Sequence, residues 1–406
     1  MVAMADDWEP PRLQFQAGLP QGKVNLLRIL QSPEAFIPET IFSRPEVTIG
    51  EGSRQLRVIS DPAFAFAILN ERSGTFEQLP LVTRMLSEGY PKPAHDRPME
   101  SRAHCLGLQR QLPEAQRQEI VRELSARIVA GWLDTAGANV DLLLDARRLT
   151  LDAFWRAFLG RGGPPSQVDD DVETAAATIH AQPASATLVE RNDALHALAL
   201  RYIREAAPSL RRDTEEYRFA LASLHVMLDA GHDNSAATLA WALWLLAHHP
   251  DLQQAIRRDP QKRIIEAVLQ ETLRLYPPIP FTTRVALRDF AWADKVIPAG
   301  QNVGISFSAM HRHRDHWEMP DCFRPERFLT AGKRVSVSQD MLPFGAGPRG
   351  CIGTGFARRV LSTMIAAILE KAQLRPNPAA GLSCVSNFSL RPVGGTVLLA
   401  DPAGVA

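Results

Sequence analysis

Apolar residues recur at three- and four-residue intervals across the chain from about 112 to 246, which predicts an almost wholly helical stretch. Ile120, Leu124, Ile128 and Trp132 form one such stripe, and residues 142–158 are equally rich. Two interruptions, 160–168 and 181–186, carry Gly, Pro and Ser and predict loops. The longest helix should run from about 214 to 249 and stop at Pro250. Its C-terminal half is apolar on nearly every face, so it should cross the interior. Further helices are expected over about 261–276, halted by Pro277 and Pro278, and over about 353–374.

Elsewhere the period shortens. Residues 47–49 and 56–59 flank a Gly-Glu-Gly-Ser turn and predict a hairpin. Asp61-Pro62 reads as an N-cap with Pro at the first helical position, opening a helix through Asn70. Residues 282–308 alternate and turn at Pro298-Ala-Gly300, predicting short strands, and 382–399 should form a closing hairpin. There is no internal repeat or Gly/Ser linker. The expected class is mainly α with minor β (α+β), one large domain over 1–406 with an N-terminal segment at 1–40.

Composition narrows the partners. The 406 residues hold 45 Lys+Arg and 45 Asp+Glu, so no net field draws the chain to nucleic acid or an anionic membrane. Hydrophobic residues at 45% and charged residues at 22% fit a globular chain rather than a disordered one. Cys105, Cys322, Cys351 and Cys384 follow no disulfide spacing, which fits a reducing compartment. The opening MVAMADDWEPPRLQF lacks a basic n-region and an apolar h-region. The best apolar run, 236–247, is too short for a membrane span and is flanked by Asp229, His232, Asp233, His248 and His249. The expectation is a cytoplasmic protein with no membrane span.

The chemistry concentrates in Leu342-Pro-Phe-Gly-Ala-Gly-Pro-Arg-Gly-Cys-Ile-Gly353. Cys351 sits in a glycine-dense loop that opens into a helix. Amides and the positive dipole end at a helix N-terminus favour negative charge on sulfur. Glycines let backbone N–H groups approach that sulfur and let a flat macrocycle lie against the chain. Arg349 supplies a cation able to pair with an anionic side arm.

Phe344-Gly345-Ala-Gly-Pro-Arg349-Gly-Cys351-Ile-Gly353 resembles the haem-binding signature of the cytochrome P-450 superfamily. The resemblance implies a long central helix over the haem, small β-sheets, and Cys351 as axial thiolate ligand of the iron of haem b. Three more segments match. Glu271-Thr-Leu-Arg274, before Tyr-Pro-Pro278, resembles the family's Glu-x-x-Arg pair, which Arg327 of Phe323-Arg-Pro-Glu-Arg327-Phe328 joins in a structural triad. Glu-x-x-Arg spacing alone is weak, since Glu9, Glu51, Glu114, Glu119 and Glu215 share it. On the long helix, Ala230-Gly231-His-Asp233-Asn234-Ser235 resembles the oxygen-activating segment. There Gly231 would weaken the helix and make room for O2, and Asp233 would gate protons. Asn234 stands where the family usually has a hydroxyl; an amide can hold a water or bound oxygen but cannot pass a proton by rotating. Arg284 falls where a basic residue reaches a haem propionate, and Arg110 or His104 is expected to contact haem.

The resemblance implies a monooxygenase that inserts one atom of O2 into a lipophilic molecule of terpenoid, steroid, aromatic or polyketide type. Electrons would come from ferredoxin and its reductase, or from flavodoxin. The pocket would include Met227, Ile279, Phe281, Thr282 and Phe388, and basic residues Arg110, Lys333, Arg334, Arg358 and Arg359 could dock an acidic donor. Asn234 motivates an alternative of peroxide-driven or O2-independent chemistry; a non-catalytic haem sensor is the other. His311, His313, His316 and Cys322 match no usual zinc spacing.

Overall fold

The structure, a computed structural model, describes residues 8–15, 17, 26–52, 55–79, 100, 103–104, 112–134, 139–182, 188–329, 340–379, 381–387, 389–394 and 396–400. In chain order the elements are α1 (Leu26–Gln31), β1 (Glu46–Ile49), β2 (Leu56–Ile59), α2 (Pro62–Leu69), β3 (Phe76–Glu77), α3 (Glu114–Asp134), β4 (Asn139–Asp141), α4 (Leu142–Ala153), α5 (Asp170–Ala181), α6 (Leu188–Ala206), α7 (Glu215–Ala247), α8 (Pro250–Arg257) and α9 (Arg263–Leu275). There follow β5 (Phe281–Ala286), β6 (Phe290–Trp292), β7 (Lys295–Ile297), β8 (Asn302–Ser306), α10 (Phe307–Met310), α11 (Thr354–Lys371), β9 (Gln373–Pro376), β10 (Ser383–Asn387), β11 (Ser389–Val393) and β12 (Thr396–Ala400). The fold is mainly helical with small sheets, and the chain divides into two compact units.

The first unit comprises 1–82, 267–351 and 383–393. Its sheet has the order β1-β2-β8-β5-β3. The expected β1–β2 hairpin is antiparallel, with Val47 opposite Val58, while β2 meets β8 in parallel. Side chains of this sheet enter two apolar clusters. Ile37, Ile41, Leu56 and Phe281 belong to one; Ile59, Phe64, Ile305 and Leu342 belong to the other. Helix α2 starts as the sequence predicts: Asp61 accepts from the Phe64 amide at 2.7 Å, and Pro62 opens the helix.

The second unit comprises 83–266, 352–382 and 394–406. Its long helix α7 is capped by Thr214, which accepts from the Tyr217 amide, and is buried on every face from Ala236 to Ala247. Around it pack α4, α6 and α11. A sheet of order β4-β12-β9 closes the unit.

Three sequence expectations need correction here. The closing hairpin ends at Val393: β10 pairs with β11, but β12 pairs with β4 and β9. Gly394, at φ +85°, takes the left-handed conformation that ends the hairpin. Second, the stretch expected to be helical contains strand β4, whose partner Val397 lies hundreds of residues away and leaves no local trace. Third, α4 does not simply continue to Phe158: residues Phe154–Phe158 form a π-helical turn.

One buried ion cluster organises the first unit. Glu271 and Arg274, one turn apart on α9, are both fully buried and form a two-pronged pair at 2.7 Å. Arg274 also donates to the carbonyls of His311, Pro320 and Cys322 at 2.9, 2.6 and 3.0 Å, so its five N–H bonds are all used. Glu271 further accepts from the Arg324 amide at 2.8 Å and from Arg327 Nε at 3.2 Å. By contrast Glu119–Arg122, with the same spacing, is an exposed pair. Nearby, the buried His311 accepts from the Leu342 amide at 2.9 Å through Nε2, which requires a neutral ring. Burial, helped by the Arg274 cation, pushes its pKa down to about 3.

Glu271→Gln leaves the buried Arg274 cation without its counter-charge, so unfolding free energy should fall by ~3–5 kcal/mol in denaturant titration. Glu119→Gln should change it by less than about 0.5 kcal/mol. His311 generates a pH prediction. Its folded pKa lies below the unfolded value, so its contribution is complete above about pH 6.5 and is lost as pH falls toward about 3. Over that window His311→Gln should flatten the wild-type loss of stability by up to about 1.4 kcal/mol per pH unit. Parallel curves for the two proteins would refute the assignment.

Candidate functional site

The loop carrying Cys351 is fixed by its own backbone. Leu342 is tied to His311, the Gly345 amide donates to the Leu342 carbonyl at 3.0 Å, and the Cys351 amide donates to the Phe344 carbonyl at 2.8 Å. Gly345 and Gly347 lie at φ +65° and +67°, a conformation side chains disfavour. Gly347 has a second reason to be glycine. A Cβ there would collide with the Leu69 carbonyl at the end of α2 and lie 2.7 Å from Asn70 Cα. A 3-10 turn, Gly347–Arg349, then delivers Cys351 to an exposed position. Helix α11 begins three residues later, with Gly353 at its N-cap.

Two cations gather on this side of the first unit. Arg284 is buried and donates to the Thr282 hydroxyl and the Thr283 carbonyl at 3.2 and 2.7 Å. Burial lowers its pKa to about 10, and the nearby Arg349 guanidinium adds to the shift. Among the described residues neither arginine has an acidic partner. Neighbouring guanidiniums without a carboxylate suit an anionic ligand group such as a haem propionate. The donor set therefore fits the group that the sequence implies: a thiol on an exposed, rigid loop beside paired cations.

In the second unit, α7 runs without a break through Ala230 to Ser235. Ala230 is exposed, while Gly231, Asn234 and Ser235 are half-buried. Ser235 returns its hydroxyl to the Gly231 carbonyl at 3.0 Å, and the Asn234 carbonyl accepts from Thr238 at 2.9 Å. The Asn234 side-chain amide has no hydrogen-bond partner among the described residues. Gly231 has a packing reason to be glycine. A Cβ there would lie 2.9 Å from Phe154 Cζ and closer still to the rest of that ring edge. Phe154 stacks on Phe158 at 4.5 Å, and both rings meet Phe356 on the first turn of α11. Gly231 thus lets an aromatic cluster tie α7 to the helix that follows Cys351.

Asp233 is buried and gripped by Arg147 of α4, whose Nη2 and Nε donate to one carboxylate oxygen at 3.0 and 3.1 Å. Nothing in the sequence pointed to Arg147, 86 residues away. Beside it, His232 bonds the Leu228 carbonyl through Nδ1 and is held neutral by burial.

The remaining expectations scatter. Met227 is buried, Ile279 is 41% exposed and Thr282 is half-buried. Phe281 is buried, its ring packed against Gly304 within an apolar cluster of the first unit. His104 is exposed and meets the Phe219 ring at 6.1 Å. Phe388, Arg110, Lys333 and Arg334 lie outside the described residues. Arg358 pairs with Glu266 at 2.7 Å and Arg359 with Glu114 at 3.0 Å, so both already have acidic neighbours. Among the described residues no three His, Cys, Asp or Glu side chains are placed to hold a metal ion. No described helix is long and apolar enough to cross a membrane.

Comparison with known proteins bears on this geometry. The family model for cytochrome P450 matches residues 215–392. Putative cytochrome P450 137 of Mycobacterium tuberculosis is 34% identical over 230 residues, 56% of this chain and 45% of that protein. Cytochrome P450 714A2 of Arabidopsis thaliana is 32% identical over 199 residues, 45% of this chain and 38% of its own length. The chain thus spans less than half the length of these relatives. Among solved structures, CYP175A1 from Thermus thermophilus matches with TM-score 0.70 and 24% identity, covering 92% of this chain and 96% of that one. A six-coordinated cytochrome P450 from another strain of Thermus thermophilus matches with TM-score 0.66 and 26% identity, covering 84% and 92%. Motif, fold and relatives agree on the cytochrome P450 superfamily, whose family model takes in residues 215–392 of this chain.

Proposed function

We propose that residues 1–406 act as one haem-thiolate monooxygenase domain that hydroxylates a lipophilic small molecule. The observation that carries this reading is Cys351, exposed at the end of a backbone-locked loop and followed at once by α11. When bound, haem b supplies the reductive activation of O2 and the insertion of one oxygen atom into a C–H bond, with two electrons from a separate donor.

The chain's own contributions follow from its residues. The Cys351 sulfur, as a thiolate, would hold the haem iron. Gly345 and Gly347 keep Cβ atoms out of the loop, which leaves a smooth backbone for a planar group. Arg349 and Arg284 would hold that group's carboxylates. On α7, Ala230 and Gly231 present small side chains beside the Asn234 amide, whose donors and acceptor are available to order a water. Asp233 holds the proton-delivery position, and Arg147 orients its carboxylate. Glu271, Arg274 and Arg327 act structurally, by fixing the segment before the cysteine loop.

The substrate reading rests on the apolar character of Met227 and Ile279, which suits a terpenoid, steroid, aromatic or polyketide-like molecule. A ferredoxin with its reductase, or a flavodoxin, is the proposed electron donor, and the cytoplasm the proposed location. Asn234 in place of a hydroxyl also favours a second reading, peroxide-driven or O2-independent chemistry.

Cys351→Ser should abolish the red-shifted Soret band of the reduced carbon monoxide complex; an unchanged band would place the ligand elsewhere. Asn234→Thr should keep or raise the fraction of electrons that reach product, measured with labelled O2 in a screen of lipophilic compounds. Collapse of turnover, or label entering from peroxide alone, would favour the second reading.

A further inference from the structure

Asp233 is the inner end of a chain of side chains that reaches the surface within the second unit. Arg147 holds Asp233 at 3.0 Å. Arg147 Nη1 in turn lies 3.5 Å from His180 Nδ1, and His180 Nε2 lies 3.2 Å from Asp141 Oδ2. Side-chain exposure rises along the chain: 3% for Arg147, 28% for His180, 47% for Asp141. The outer end is rigid. Asp141 Oδ1 caps α4 by accepting from the Leu143 and Leu144 amides at 3.1 and 3.0 Å, leaving Oδ2 for the imidazole. Against the opposing effect of burial, the His180 bond and these amides hold its carboxyl below the usual range.

The bonds fix the tautomer. A guanidinium only donates, so His180 Nδ1 must accept and Nε2 must carry the proton toward Asp141. A second proton on Nδ1 would set N–H against N–H and cation against cation. Other charges near the chain are already engaged. Arg148 pairs with Asp145 and Glu173, Arg201 of α6 binds Asp169 and Asp171 at the opposite end of α5, and His196 pairs with His225 at 2.9 Å. His232, beside Asp233, is neutral through burial.

We propose that His180 is a positioning residue: neutral, it holds Arg147 against Asp233; protonated, it drives Arg147 off and loosens the grip on that carboxylate. The clamp stands on geometry alone, while its consequence for proton delivery rests on the monooxygenase reading above.

The test uses the holoprotein as its diamagnetic reduced carbon monoxide complex, with 13C-labelled histidine, followed by NMR across pH. The His180 signal is assigned by its loss in His180→Gln. Asp233→Asn strips Arg147 of its counter-charge, so the His180 midpoint should fall by about half a pH unit or more, and Arg147→Met should raise it by a similar amount. A midpoint that moves in Asp141→Asn but stays fixed in Asp233→Asn would overturn the proposal, because the chain would then end at His180. In a second arm, hydrogen peroxide released per electron pair should change with pH around the His180 midpoint in wild type and stay flat in His180→Gln. Identical pH profiles would overturn the link to proton delivery. A protein that takes up no haem would refute the monooxygenase reading and leave the clamp to be decided by the same titration without haem.

Discussion

The proposed site depends on the pinned backbone of residues 342–351. Among the bonds that hold it are Leu342 amide to His311, Gly345 amide to Leu342 carbonyl, Gly350 amide to Gly347 carbonyl and Cys351 amide to Phe344 carbonyl. Gly347, pressed against the end of α2, has no room for a side chain. A metal ligand must be held before the metal arrives, or binding must supply the ordering cost. The buried cluster around Arg274 extends this support: the His311 backbone carbonyl accepts from Arg274 while its ring accepts from Leu342. One residue therefore connects the ion cluster to the cysteine loop.

The second unit uses the same strategy with aromatic rather than ionic contacts. The rings of Phe154, Phe158 and Phe356 lock against the bare face of Gly231. The π turn places Phe154 there. Substituting Gly231 would disturb α7, the π turn and the start of α11 together. Asp233, two residues on, is buried with its charge matched by Arg147. A packing reason and a charge reason thus occupy neighbouring positions of the same helix turn.

Local signals were the legible part of the sequence. Asp61-Pro62, Thr214, the apolar run 236–247 and the alternation of 282–308 each depend on neighbours in sequence, and each marks an element close to its observed bounds. The cysteine loop was legible because glycine and arginine positions that a ligand needs are compressed into one short segment. Long-range partners were not. Strand β4 exists through β12, Arg147 matters through Asp233, and His311 matters through Leu342. Strand alternation does not say which neighbour covers Phe281; Gly304, across the β5–β8 ladder, supplies it.

The central claim is a bond between the Cys351 sulfur and a porphyrin iron. X-ray absorption at the iron edge of the purified holoprotein tests it most directly. The account predicts four nitrogen neighbours and one sulfur neighbour, the sulfur contribution vanishing in Cys351→Ser. A spectrum with only nitrogen and oxygen neighbours in the wild-type protein would contradict it.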